Sequence, residues 1–162
     1  MRRVVRAALL GALLAVGHGA CGGGPAAPSQ AITRDDRPAT RAAFEQARGR
    51  WVGLGIEDYE YAFQRFCFCA PPYTDPVRIQ VTGGQVAHVV SDRTSDTLSP
   101  GDFPSVDGLF ALLEEALDSG AYDVQASYDP ALGYPTSLYI DRDTRIADEE
   151  LAVQAGGLRR RP

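Results

Sequence analysis

The chain has 162 residues, a mass of 17.4 kDa and a hydrophobic content of 44%, which suits one domain with a buried core. Its charged fraction of 23% is ordinary for a globular protein, so a wholly disordered chain and a collagen-like repeat are excluded. All 16 basic residues are arginines, and the 21 acidic residues give a net charge of −5 at pH 7. We expect no nucleic-acid partner, because phosphate binding requires clustered positive charge.

The first twenty residues have the order of an export signal. Three arginines lie within the first six positions, and an apolar run of ten residues follows at 7–16. This run is too short to cross a bilayer of about 30 Å as a helix, so we predict a signal peptide over 1–20. Its removal leaves 13 basic against 21 acidic residues, a net charge of −8.

The end of this segment, Gly19-Ala20-Cys21, resembles the lipobox of bacterial lipoproteins. In that family a diacylglycerol is attached to the cysteine thiol, and the new amino terminus often receives a further acyl chain such as palmitate. His18 stands where that pattern favours Leu, and it also fits poorly at the −3 position of an ordinary signal-peptidase site. On this resemblance we expect lipidation at Cys21. Two or three acyl chains there would hold the protein stably on a membrane. This predicts a lipid-anchored protein on the extracytoplasmic side of a membrane in the bacterial cell envelope.

The remainder divides into a tether, one domain and a tail. Segment 21–38 begins with Gly, Ala, Pro and Ser and continues with polar residues, so it is predicted to be a flexible tether. The patterned region at 39–155 is predicted to be a single domain. The three arginines within 156–162 follow two glycines, which predicts a disordered basic tail.

The first half of the domain reads as a helix followed by strands. Apolar residues recur every three or four positions from Phe44 to Leu54, which predicts a helix with one buried stripe, and Thr40 is its expected cap. A Gly-Gly pair at 83–84 predicts a two-residue hairpin turn. Alternation predicts three strands, carrying Tyr59, Tyr61 and Phe63; Val77, Ile79 and Val81; and Val86, His88 and Val90.

The second half repeats this order after a predicted loop at 92–103. Ser105 is an expected helix cap and Gly120 an expected helix stop, with a broad apolar face between them. Alternating residues then predict a hairpin, with strands carrying Val124 and Ala126, and Leu138 and Ile140, and a short final strand near Leu151 and Val153.

Helices that alternate with hairpins indicate antiparallel pairing. We therefore predict an α+β fold in helix-hairpin-helix-hairpin order, with a single antiparallel sheet of about five strands and two helices packed on one face.

Two cysteines, Cys67 and Cys69, remain in the domain once Cys21 is assigned to lipid. In an ideal strand their Cα atoms would lie about 6.6 Å apart, near the upper limit for a disulfide, so a bridge needs a kink or bulge. Three interpretations stay open. The pair forms a local structural disulfide, or it is redox-active, or it is reduced or paired between molecules.

Other catalytic and metal-binding patterns are not met. His88 is expected to be a half-buried sheet residue, since no nucleophile elbow accompanies it. The sequence from Asp141 starts like a calcium loop, but Ile146 and Ala152 stand where a Gly and a Glu are required. The acids at 148–150 are expected to form a solvated turn. We predict no metal, no cofactor and no enzymatic activity.

A cluster of aromatic, Gly and Pro residues surrounds the second hairpin. Its structural interpretation is a shaped turn in which tyrosines pack across strands. Its functional interpretation is a recognition surface for an envelope protein or a glycan, because tyrosines on loops are good contact residues. The candidate residues are Tyr128, Asp129, Tyr134, Pro135 and Tyr139.

These motifs occur together in a recognisable order. Trp51, Tyr59-x-Tyr61, Cys67-x-Cys69, Tyr128-Asp129, Gly133-Tyr134-Pro135 and Ile140-Asp141 follow one another in a pattern that resembles an uncharacterised family of small bacterial secreted proteins and lipoproteins, a domain of unknown function. The resemblance spans about residues 45–155. It implies an extracytoplasmic domain, often lipid-anchored, and it supplies no catalytic residue.

Three hypotheses about function follow. The first is a lipid-anchored module that acts by binding or by structural support. The second is a thiol–disulfide redox protein that uses Cys67 and Cys69. The third is a peptidase-inhibitor-like module, which depends on analogy to small inhibitors with a helix on a sheet.

Overall fold

A computed structural model describes residues 36–162. The predictions for the leader, for Cys21 and for the tether as far as residue 35 lie outside the described residues. No helix within the described part is both long and apolar enough to cross a membrane. The elements are α1 (Arg37–Gly53), β1 (Tyr59–Phe66), β2 (Val77–Thr82), β3 (Gln85–Ser91), β4 (Thr97–Leu98), a 3-10 turn (Pro100–Asp102), α2 (Val106–Ser119), β5 (Asp123–Tyr128), β6 (Pro135–Asp141) and β7 (Leu151–Arg160).

The strands form one antiparallel sheet in the order β4-β3-β2-β1-β7-β6-β5. Both helices lie on the face where Tyr59 points, since the Trp51 ring of α1 and the first residue of α2, Val106, both contact it. The prediction of an α+β fold with two helices and a single antiparallel sheet is confirmed. The expected number of about five strands is wrong, because the described sheet has seven.

The largest correction concerns the end of the chain. The predicted tail at 156–162 is instead mostly β7, which continues to Arg160 and lies between β1 and β6 in the centre of the sheet. Gly157 has φ +63°, and the pairing with β1 shifts register opposite it, as expected for a bulge with glycine in the left-handed region. The glycines therefore adjust the pairing of a strand rather than end it.

Two smaller corrections concern β3 and the loop that follows. Val86 pairs with Val81 and His88 with Gln80, so Ala87 is an extra, unpaired residue. The predicted strand is present, but this bulge interrupts its alternation and places Val86 and the buried Val89 on the helix-covered face and His88 on the other. The predicted loop at 92–103 also contains the two-residue strand β4.

The helix limits follow from local chemistry. The first helix begins at Arg37, two residues before the predicted domain boundary, and Thr40 lies buried inside it with its hydroxyl donating to the Asp36 carbonyl. The predicted limits of α2 are confirmed. The Ser105 side chain accepts from the Gly108 amide, and Gly120 ends the helix in the left-handed region.

Two tyrosines of β1 fasten the start of α2 to the sheet. The Tyr59 hydroxyl accepts a hydrogen bond of 2.9 Å from the buried Val106 amide, and the Tyr61 hydroxyl donates to the Pro104 carbonyl. Both side chains are fully buried, and burial raises the pKa of Tyr59 to about 12, so its hydroxyl remains neutral. The backbone groups at this helix entry are thus satisfied by side chains rather than by water.

The indole of Trp51 connects α1 to the same region. Its Nε1 donates to the Asp107 carboxylate over 3.2 Å, and its ring packs edge-on against Tyr59 at 5.4 Å and against Tyr134 at 6.5 Å. The end of α1, the start of α2 and the start of β1 therefore meet in one aromatic cluster, which we call the anchored end of the domain.

We expect Tyr59→Phe to lower the free energy of unfolding by about 1–3 kcal/mol in urea denaturation, because the ring is kept while the buried Val106 amide loses its acceptor. The matched control is Tyr73→Phe at an exposed ring, which should change stability by no more than about 0.5 kcal/mol. Equal effects of the two substitutions would contradict the role given to the Tyr59 hydroxyl.

Candidate functional site

The two domain cysteines close a short loop at the end of β1. The strand ends at Phe66, and the Cys69 amide donates to the Cys67 carbonyl over 2.8 Å, a tight turn that draws the Cα atoms to 5.2 Å. The sulfur atoms lie 2.08 Å apart, at disulfide-bonding distance. The turn supplies the departure from strand geometry that the sequence required for a bridge.

Three aromatic rings around this loop are exposed to solvent. The Phe68 side chain, between the two cysteines, is 83% exposed, and Phe66 and Tyr73 are about two-fifths exposed. An isolated exposed aromatic residue needs no explanation, but Phe68 is almost fully exposed and also lines the groove described next. We call residues 66–73 the disulfide loop.

A groove of about 370 Å³ runs beside the disulfide loop. Its volume lies within the range of ligand-binding clefts. Its floor is formed by apolar side chains from the sheet and from α2, and charged residues form its rim. The apolar lining residues are Phe63, Phe68, Leu112, Leu151 and Val153, the charged ones are Arg65, Arg142, Asp148, Glu149 and Glu150, and both cysteines contribute.

The two arginines of the groove are already engaged. Arg65 donates to the Asp102 carbonyl over 3.0 Å, and its guanidinium lies over the ring of Phe63 at 5.8 Å. Arg142 forms an ion pair of 2.6 Å with Glu115 of α2. The charge of Arg142 is therefore paired within the domain, whereas Arg65 is held in place by a neutral carbonyl and a ring and keeps its positive charge.

The acidic rim differs in this respect. The side chains of Asp148 and Glu150 make no hydrogen bond or ion pair with another residue in the range 36–162. Glu149 is fixed, because its Oε1 accepts from the backbone amides of Arg142 and Asp143 over 2.6 and 2.7 Å. The groove therefore presents two carboxylates without partners to an incoming ligand.

Next to Glu149 lie two neighbouring carboxyl groups, one buried and one half-buried. Asp123 and Asp141 are direct neighbours on β5 and β6, and each has one buried carboxylate oxygen without a partner in the described structure. The pKa of Asp141 is raised, first by burial and then by a hydrogen bond to Glu149 and by the negative charges of Glu149, Glu150 and Asp123. Each of these influences disfavours the charged form of Asp141.

The proposed recognition residues at the second hairpin are mostly structural. Tyr134 and Pro135 are buried, with Tyr134 packed on Trp51, and Tyr128 is half-buried and stacked on Phe110 at 6.3 Å. The buried Tyr134 and Pro135 are not accessible to a partner, whereas a recognition role for Tyr128, Asp129 and Tyr139 stays a prediction.

The remaining members of the predicted surface, Asp129 and Tyr139, are half-exposed and lie apart from the groove. Asp129 shapes the turn, accepting from the amides of Ala131 and Leu132, and Tyr139 points to the face of the sheet without helices. Gly133, with φ +84°, lies so close to α1 that a Cβ would meet the Ala47 carbonyl at 2.5 Å. The hairpin is therefore packed against the helix.

Sequence reasoning identified part of the groove and missed the rest. The sequence draws attention to the two cysteines, but it gives no sign that Arg65 or the acids at 148–150, predicted to form a solvated turn, lie beside them. Their approach to the disulfide loop depends on β7, which pairs with β1. Within residues 36–162 no cluster of His, Cys, Asp or Glu has the arrangement of a metal site.

A protein-family model matches residues 43–160, which is most of the chain, and its description is Family of unknown function (DUF6174). The chain belongs to this family. The resemblance drawn from the ordered motifs is thereby confirmed, and the matched range contains the anchored end, the disulfide loop and the groove. Neither the curated proteins nor the solved structures contain a match to the chain.

We expect Asp141→Asn to raise stability at neutral pH. A carboxyl group whose pKa is higher in the folded state stabilises the fold below its unfolded pKa, near 4, and this contribution is lost as the pH rises through the folded value. The Asn side chain has nearly the shape of the Asp side chain and can donate a hydrogen bond to Glu149, but it carries no charge. The difference in unfolding free energy between variant and wild type should grow from pH 4 to pH 7. A variant less stable than wild type at pH 7 would contradict this account.

Proposed function

We propose that this protein is a lipid-anchored binding module of the bacterial cell envelope and that the disulfide loop and its groove form the contact surface. The observation that carries the proposal is the Phe68 side chain, which is 83% exposed although a bridge of only three residues constrains its backbone. An aromatic ring that remains in solvent adds little to folding, whereas the constrained backbone that carries it lowers the entropy cost of binding a partner.

The path of the chain supports the same arrangement. Helix α1 begins beside the end of α2, since Arg37 donates to the Ala121 carbonyl over 2.7 Å. Ala121 leads into β5, whose first residue pairs with Asp141, at the end of the sheet where the disulfide loop also lies. A chain from Cys21 to Arg37 spans at most roughly 55 Å. Anchoring at Cys21 would thus hold the groove near the membrane.

A redox role is a second candidate, favoured by the exposure of Cys69. A thiolate of a partner dithiol would attack the Cys69 sulfur and break the bridge, and Cys67 would leave as a thiolate. The second partner thiol would then release an oxidised partner and a reduced domain, a transfer of two electrons. The carboxylates of the rim oppose this reaction, because negative charge disfavours a thiolate. We therefore prefer the binding role.

We expect the mature protein to begin at Cys21 and to carry acyl chains there. Intact-mass measurement of the protein isolated from membranes should show the mass of residues 21–162 plus a diacylglyceryl group. A chain that begins elsewhere, or an unmodified Cys21, would remove the anchor from the proposal while leaving the contact surface to be tested separately.

We expect a photo-reactive phenylalanine analogue at position 68 to form one defined, saturable adduct in intact cells. The matched control is the same analogue at Val52, which is 63% exposed on α1 outside the groove. If the role is binding rather than redox, the adduct should still form in the Cys67→Ser/Cys69→Ser variant. If the protein captured in the adduct is a peptidase, the inhibitor-like hypothesis is favoured. Adducts of equal yield at both positions, or none, would refute the contact surface.

A further inference from the structure

We infer that the groove binds a polypeptide segment that presents a basic side chain next to an apolar one. This inference rests on the proposed function and adds the chemistry of the partner to it. Two features of the groove carry it: an apolar floor, and a rim on which three carboxylates stand against two arginines, one of them already paired with Glu115.

The apolar half of the site is built by both layers of the domain. Leu112 comes from α2 and Leu151 and Val153 from β7, and the exposed ring of Phe68 stands at the side. These side chains are held by the sheet and by α2, so the floor exists before a partner arrives. Burying an apolar side chain there removes hydrocarbon surface from water on both partners, which is worth roughly 25 cal/mol per Å².

The charged residues on the rim of the groove determine which side chains a bound apolar segment should carry. Arg142 is neutralised by Glu115, and Arg65 is engaged by the Asp102 carbonyl, whereas Asp148 and Glu150 have no partner within residues 36–162. A Lys or Arg on the ligand would pair with these carboxylates, and an acidic ligand would be repelled. The same charges oppose an anionic bilayer, so exposed aromatic residues here favour a polypeptide over a lipid surface.

The test uses the full mature protein in neutral detergent and three labelled, end-capped peptides: Lys-Leu-Lys-Phe-Lys, Gln-Leu-Gln-Phe-Gln and Glu-Leu-Glu-Phe-Glu. Fluorescence anisotropy at low salt should give the order basic, neutral, acidic. We expect Asp148→Asn with Glu150→Gln to weaken binding of the basic peptide roughly threefold to tenfold, the range expected for two exposed ion pairs. Binding of the neutral peptide should be unchanged.

The matched control is Glu45→Gln with Glu57→Gln, which removes two charges at exposed positions outside the groove. Equal loss in the control, equal affinity for the three peptides, or no binding of the basic peptide would overturn the inference. A Cys21→Ser chain that binds phosphatidylglycerol vesicles only when Phe68 is intact would overturn it in favour of a lipid surface. If the adduct at position 68 forms while peptide charge has no effect, the inference fails and the proposed function stands.

Discussion

The structure depends on a row of aromatic side chains along β1. Tyr59, Tyr61 and Phe63 point to the same face, are buried there and contact one another in sequence. Phenylalanines at these positions would supply the same apolar surface. Only the tyrosine hydroxyls, however, form hydrogen bonds with the Pro104 carbonyl and the Val106 amide, where α2 begins. Sheet and helix are thereby held in one relative position, and Trp51 extends this restraint to α1.

This restraint divides the molecule into two ends of different character. At the anchored end, aromatic rings and hydrogen bonds fill the space between helices and sheet. At the other end, the disulfide loop leaves the sheet, Phe68 is exposed, and carboxylates gather without enough cations to neutralise them. Like charges held close together cost stability and an exposed ring contributes none, and under our proposal both are retained for contact with another molecule.

The sequence predicts those parts of the fold that are set by local chemistry. Alternation marks β1 and β2, Ser105 and Gly120 mark the limits of α2, and the fold class follows from them. Prediction from the sequence fails where an element is defined by its pairing with distant strands. Strand β7 carries two glycines and two arginines, and it is a central strand only because β1 and β6 pair with it on both sides. The groove was missed for the same reason, since β7 brings the acidic segment to the cysteines. The burial of Tyr134 is likewise not visible in the sequence, because it results from packing against Trp51 of α1.

Native-state hydrogen exchange of the oxidised and the reduced protein tests the division into two ends most directly. Closing a loop of three residues constrains the unfolded chain by only about 1.6 kcal/mol, so reduction should act locally. We expect the amides of Tyr61 and Val106 to remain the slowest to exchange in both forms, with faster exchange on reduction confined to residues 65–73 and the facing segment 148–153. Faster exchange throughout α2 on reduction would contradict the account, because the bridge rather than the tyrosine row would then hold the helix on the sheet.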